Sequence, residues 1–416
     1  MSNKQISSGY IILILMVTIA IDVMGLGLIF PIIPELILDK SNELFLVADT
    51  TATVRYFYYG LTMAVWPLGM FFGSSILGRL SDVFGRKRLL VIALLGVALS
   101  YFLSVFAIMT ENLSVFIISR FTVGLFGGSF GLAQATIIDV SPRDKITRNL
   151  SFVTLAASIG FIIGPGLTTL IGQIYQGDSM MQTLLPCLIG GLITIVNLAS
   201  VWIFLKETRQ VEKSARKLPG LIDMFFSFRV MFIDKRVVVL AFSFLFMQAA
   251  WGFYVQNFPL VLSAEFDLNQ AQIGLSFVCA ALGYFVAILG ILPILEKYCS
   301  LKSLVMVNGL LLGITLLLSA VYPSVLMEYV AFILASVFQL LFYSAILAWF
   351  SSKVDDHEQG QIMGGTVSVF GIAWAVNAIL LGPLVSIGVF LPVYLAVILF
   401  VIAGLVVVSV TGGSKT

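Results

Sequence analysis

Apolar stretches of about 20 or more residues recur from end to end of this chain. At a rise of about 1.5 Å per residue each can cross a hydrocarbon core of roughly 30 Å. Inside lipid an unpaired backbone amide has no water to bond, so such stretches are restricted to helices. Twelve spans are placed, roughly at 10–38, 56–78, 89–110, 113–138, 150–174, 182–205, 237–262, 271–295, 303–322, 327–352, 360–388 and 390–411. With 60% hydrophobic and only 11% charged residues among 416, and a mean hydropathy of +1.08, no stretch is left for a soluble domain. The expected fold class is therefore an all-α membrane protein with 12 transmembrane helices. The first run is too long for the core of a cleaved signal peptide and lacks a small-residue cleavage site, so it is expected to be retained.

The placement of charge tests this topology separately from hydropathy. If both termini are cytoplasmic, 20 of the 23 Lys and Arg fall on the cytoplasmic side, the exceptions being Lys40, Arg55 and Arg120. That is the positive-inside bias. The pI near 8.3 then reports orientation in a cell inner membrane, not nucleic-acid binding. Cys187, Cys279 and Cys299 have no metal-ligand spacing and read as packing or lipid-facing residues, and the lone His357 as a solvated loop imidazole. No nucleophile motif, phosphate loop or zinc signature occurs, so neither an enzyme nor a cofactor or metal is expected.

The longest polar interruption, 206–236, separates six spans from six. The expected domains are an N-terminal bundle (1–205), a cytoplasmic linker with an interfacial helix (206–236) and a C-terminal bundle (237–416). The apolar middle of the linker, LIDMFFSFRVMFI, suits a helix lying among headgroups. Weak echoes link the halves: Gly164-Pro165 with Gly382-Pro383, Gly60 with Gly274, and the prolines ending span 1 with Pro259. Two pseudo-symmetric six-helix bundles with a site between them is the plan of alternating access.

Two charges lie deep in the apolar spans, Asp22 and Arg120. Intramembrane charge is costly and is read as functional by default. Counting along each span puts both in the outer half of the membrane, so they are expected to form a proton-coupling pair. Spans beyond residue 237 read as free of ionisable residues in their interiors. Neutral polar and aromatic residues recur there instead: Gln248, Trp251, Gln256 and Asn257, then Asn308, Gln339 and Tyr343, then Trp374 and Asn377. These are the expected lining of a substrate cavity, suited to an uncharged, zwitterionic or lipophilic molecule.

The loop GRLSDVFGRKR, residues 78–88, resembles the signature of the major facilitator superfamily at every fixed position. Gly78 and Gly85 read as allowing a tight turn. DVMGLGLIFPIIP (22–34), ISRFTVGLFGG (118–128) and QGQIMGG (359–365) resemble motifs of its 12-span drug:proton antiporters, the group that includes tetracycline exporters. Of the span 5 antiporter motif, Gly160, Gly164 and Pro165 match, but Thr168-Thr169 stand where the final glycine pair belongs. The resemblance implies a gating role for Gly78, Asp82, Gly85, Arg86, Arg88 and Asp139. Asp82 is expected at the N-terminal end of span 11, and Asp139 to pair with Arg86 or Arg88.

The function expected is that of a proton-coupled transporter exporting a small amphipathic compound, with tetracycline itself disfavoured by the missing charges in the second half. An importer of the same fold, for a metabolite or siderophore, is the second reading, and a non-transporting receptor the third. The expected partners are a small-molecule substrate, protons and the lipid bilayer, with no nucleic acid, and the chain reads as a monomer.

Overall fold

A computed structural model describes residues 8–141, 146–175, 178–208, 229–354 and 356–409, giving only the backbone for some residues inside helices. Twelve helical segments among them are long and apolar enough to cross a membrane. In the first half, span 1 is Gly9–Ile37, span 2 Ala52–Gly78, span 3 Arg86–Met109, span 4 Leu113–Gln134, span 5 Leu155–Ile174 and span 6 Met180–Phe204. In the second half, span 7 is Val238–Phe266, span 8 Gln270–Tyr298, span 9 Leu301–Val321, span 10 Val325–Ser351, span 11 Gly365–Ile387 and span 12 Leu391–Ser409. Span 1 starts on the face where even-numbered spans end, termed here the terminal face; odd-numbered spans end on the distal face. Of the predicted linker, residues 209–228 lie outside the described residues, and its last part forms the short helix Arg229–Ile233.

Short polar residues start several of these helices. Asn112, Asp178, Asn269, Ser300 and Ser324 each accept from a backbone N–H three residues on, and Asn269 forms a full capping box with Gln272. Hydroxyls inside the spans bond back to carbonyls one turn earlier, as Ser100 does to Gly96 at 2.7 Å and Thr194 to Gly190 at 2.7 Å, which lets them sit in an apolar bundle. Large side chains such as Leu99, Val196, Leu289 and Ile314 remain exposed, as a lipid-facing surface requires. Span 8 is not uniform. Its helix Gln270–Val286 passes through a π turn, Ala287–Ile291, into Leu292–Tyr298, just where Pro293 would otherwise remove a bond from the ladder.

The two halves repeat one packing scheme. Span 1 packs on 5, 2 on 4 and 3 on 6; correspondingly 7 packs on 11, 8 on 10 and 9 on 12. The seam between halves is formed by span 2 against 11 and span 5 against 8, again equivalent under the repeat. Small residues let the backbones meet: a Cβ on Gly60 would lie 2.5 Å from the Ala378 carbonyl oxygen, and one on Gly382 2.8 Å from that of Tyr56.

Polar bonds close the seam toward the distal face. Tyr59 Oη donates to the Gln256 carbonyl at 2.8 Å, Thr169 Oγ1 to the Ala271 carbonyl at 3.2 Å, and Gln270 Nε2 to the Gln182 carbonyl at 3.3 Å. Phe30 of span 1 stacks on Phe277 of span 8 with centroids 5.4 Å apart.

Candidate functional site

Both halves line a cavity of about 190 Å³. The first half supplies Asp22, Trp66 and Tyr101 with apolar neighbours such as Val97 and Val123; the second supplies Gln248, Tyr343, Thr366 and Phe370. A smaller cavity of about 30 Å³ shares Trp66 with it and is lined by Gly25, Thr62, Arg120, Gln256 and Trp374 among others.

Asp22 is placed by a break in span 4. That span consists of two helices, Leu113–Phe126 and Ser129–Val140, interrupted at Gly127-Gly128, where a Cβ on Gly128 would come within 3.0 Å of the Gly73 backbone. The break turns Ser129 toward span 1, and its hydroxyl donates to Asp22 Oδ2 at 2.6 Å. The other carboxylate oxygen, Oδ1, is buried without a partner.

Arg120 is 2% exposed. Its Nη2 donates to Ser104 Oγ at 2.6 Å, and Ser104 Oγ in turn donates to Ser119 Oγ at 2.8 Å. The guanidinium carbon lies 5.7 Å from the Tyr101 ring centroid and 5.5 Å from that of Phe116, within cation–π range, while Nε has no partner. The expected Asp22–Arg120 contact is not made. Among the described residues neither takes part in an ion pair, unlike Arg86 with Asp139 or Arg236 with Asp234. Tyr101 interacts electrostatically with both Asp22 and Arg120, and its hydroxyl packs on Gly25, one turn beyond Asp22. A neutral hydroxyl on one side and an aromatic ring on the other thus replace the direct pair, and neither carries a charge that depth counting could register.

The nine expected cavity residues divide. Gln248 and Tyr343 line the larger cavity, and Gln256 and Trp374 the smaller. The other five are held in packing contacts. Asn257 Nδ2 donates to the Val389 carbonyl at 2.8 Å, Asn377 Nδ2 to Ala249 at 2.7 Å and Asn308 Nδ2 to Leu304 at 2.7 Å. Gln339 Oε1 accepts from Tyr284 Oη at 3.0 Å, and Trp251 packs on Tyr254 and Phe332. Helical spacing put these residues on shared faces but could not say which faces turn toward a neighbouring span rather than a void.

The second half does bury a carboxylate, at the end of a span and not in its interior. Glu328, in the first turn of the span 10 helix, is 2% exposed and its Oε1 has no partner. It interacts electrostatically with Tyr254, whose hydroxyl is likewise unpartnered, and Phe332 one turn on packs against Phe258 at 4.1 Å. A helix end ordinarily reads as solvated; here span 7 covers it.

The sequence pattern of the Major Facilitator Superfamily matches residues 15–261 and 240–414, spanning both halves. The chain belongs to the major facilitator superfamily. It is 26% identical over 378 residues to the class H tetracycline resistance protein of Pasteurella multocida, covering 89% of this chain and 87% of that one. In fold it is similar to the human organic anion transporter MFSD10, with a TM-score of 0.73 at 17% identity over 97% of this chain and 100% of the other. It is likewise similar to the xylose transporter XylE of E. coli, with a TM-score of 0.72 at 13% identity over 98% and 100%.

In this superfamily member the signature loop is built around Arg86. Gly85 adopts φ +98°, a conformation that L side chains rarely adopt, and so ends the span 2 helix and starts span 3. Gly78, expected to share that turn, lies inside the continuous helix Ala52–Phe84 with open space where a Cβ would be. Arg86 Nε bonds Asp139 Oδ2 at 3.0 Å, realising one of the two expected pairings, and the guanidinium also bonds the Ser81 hydroxyl. Arg88 is exposed. The Arg86 backbone N–H donates to Glu207 Oε1 at 2.7 Å, a contact from the end of span 6 that sequence spacing did not suggest. The Asp82 side chain lies outside the described residues, as do several in the QGQIMGG stretch.

The span 5 motif splits into two surfaces. Gly160 and Gly164 face span 1, where a Cβ on Gly164 would lie 2.5 Å from the Met24 carbonyl oxygen, and Gly27 packs against the Pro165 ring. Thr168 and Thr169 both bond back to the Pro165 carbonyl at 2.8 Å, and Thr169 alone also reaches Ala271 in span 8. The departure from the family pattern therefore leaves the glycine packing on span 1 intact and adds a bond across the seam.

Proposed function

We propose that this superfamily transporter is coupled to protons through Asp22 and exports a small amphipathic compound by alternating access. The observation that carries the reading is a carboxylate with one unpartnered oxygen in a cavity shared by both halves, beneath a seam bonded toward the distal face. Asp22 can take a proton on Oδ1 while Oδ2 keeps its bond to Ser129. Arg120 acts on it at a distance, across Tyr101. The Arg86–Asp139–Glu207 cluster, with Gly78, Asp82, Gly85 and Arg88, serves as the latch of the terminal face; Gly160, Gly164 and Pro165 let span 5 move against span 1. With both termini in the cytoplasm, as the positive-inside bias supports, the distal face is external and this arrangement is closed to the outside. Export is favoured over import by similarity to a tetracycline resistance protein. The domains are the two bundles and the linker at 1–205, 237–416 and 206–236, in a monomer resident in an inner membrane.

Flux of candidate amphipathic compounds into liposomes holding the purified protein, with and without an imposed pH gradient, tests the proposal. Gradient-driven flux that Asp22→Asn abolishes supports it, and flux undiminished by that change refutes the coupling assignment.

A further inference from the structure

Three residues that line the smaller cavity, drawn from both halves, each carry a buried polar atom without a partner. Arg120 of span 4 has a free Nε, and no carboxylate among the described residues pairs with it. Trp374 of span 11 has a free indole N–H, and Gln256 of span 7 a free Oε1; the three residues are 2%, 3% and 1% exposed. A buried guanidinium without a counter-ion is costly, and an indole N–H in such a place ordinarily finds an acceptor. Two donors, one of them cationic, without any anion beside them match the needs of a planar oxyanion. The volume of about 30 Å³ exceeds the roughly 10–15 Å³ that a cavity needs to hold one water, so a small head group fits and no more. The adjoining cavity of about 190 Å³, largely apolar and walled by Phe370, Tyr343 and Met70, has room for an attached body.

We propose that the transported molecule is an organic acid or zwitterion whose carboxylate, or a similar oxyanion, enters the smaller cavity between Arg120 and Trp374 while its apolar body fills the larger one. This rests on the transporter reading and names its substrate class. Gln256 Oε1, the free acceptor among the three, takes an N–H or O–H of the substrate neighbouring the acid group. Because Arg120 and Trp374 belong to opposite halves, the bound acid also ties the two bundles together just beneath the Tyr59–Gln256 bond. Its release then requires the halves to part.

The test uses the full chain in detergent and three probes of one shape: 4-phenylbutyrate, 4-phenylbutyramide and 4-phenylbutylamine. Equilibrium binding is expected to favour the acid over both others by about tenfold or more, equivalent to ~1.4 kcal/mol. Trp374→Phe, which keeps the ring and removes the N–H, should lower that preference severalfold, and Arg120→Gln should erase it while amide binding persists. Equal binding of acid and amide, stronger binding of the amine, no binding of the acid at millimolar concentration, or a preference surviving Arg120→Gln overturns the proposal. Flux in liposomes separates the two readings. Acid binding without any flux leaves this site standing and refutes transport, whereas equal flux of all three probes leaves transport standing and refutes this site.

Discussion

Ser129 reaches Asp22 across two spans, its hydroxyl 2.6 Å from Oδ2, and Oδ1 is left buried without a donor. Under the proposed coupling the two oxygens have separate tasks: one holds the side chain in place and the other takes the proton. Asp22→Asn preserves the first and removes the second. Gradient-driven flux in liposomes is expected to fall by at least about tenfold, a loss of ~1.4 kcal/mol or more, with the melting temperature in detergent nearly unchanged.

Ser129→Ala should show the opposite pattern in stability. It strips the hydroxyl donor from a buried carboxylate, at a cost of about 1.5–3 kcal/mol. A drop in melting temperature is expected, with Ser129→Thr, which keeps the hydroxyl, close to the native value. Equal melting of all three would mean that the bond holds nothing.

If the halves alternate as proposed, bonds across the seam set how often the distal face opens. Tyr59→Phe removes the 2.8 Å bond to Gln256, and Thr169→Gly, which restores the family's glycine, removes the 3.2 Å bond to Ala271. A neutral hydrogen bond contributes about 1 kcal/mol, so each change should raise the open population roughly fivefold. Labelling of a cysteine introduced at Gln182 by a membrane-impermeant maleimide, in a chain otherwise lacking cysteine, should accelerate accordingly.

At the signature loop, Gly85→Ala meets two obstacles that can be separated. The φ of +98° disfavours any side chain, and a Cβ would run into the Glu207 carboxylate. Strain of this kind costs about 1–3 kcal/mol. Melting temperatures should show Gly85→Ala destabilised and a second change, Glu207→Ala, recovering only the steric part.

Much of this was legible from sequence because lipid leaves few choices. Twelve apolar runs became twelve spans, and Arg86 with Asp139 formed an expected pair, since charges at helix ends have few places to go. What escaped was neutral. Ser129 was invisible as a partner until the glycine break turned it toward Asp22, and Tyr101 until its ring came to lie beside Arg120. Adjacent residues also parted ways: Gln256 lines a cavity while Asn257 is spent on the Val389 carbonyl. Glu328 was hidden by its position, because a pattern of hydropathy cannot tell a capped helix end in water from one roofed by span 7.

The π turn of span 8 leaves one residue more in that turn than an α-helix would hold. The part before it, with Phe277 at the seam, and the part after it, from Leu292, are therefore out of phase by about 100°. Deleting a single codon within 287–291 would swing the whole terminal end of the helix around its axis and leave Phe277 where it stands. The length of this one turn thus sets which surface the end of span 8 shows to lipid, separately from the contact between the halves.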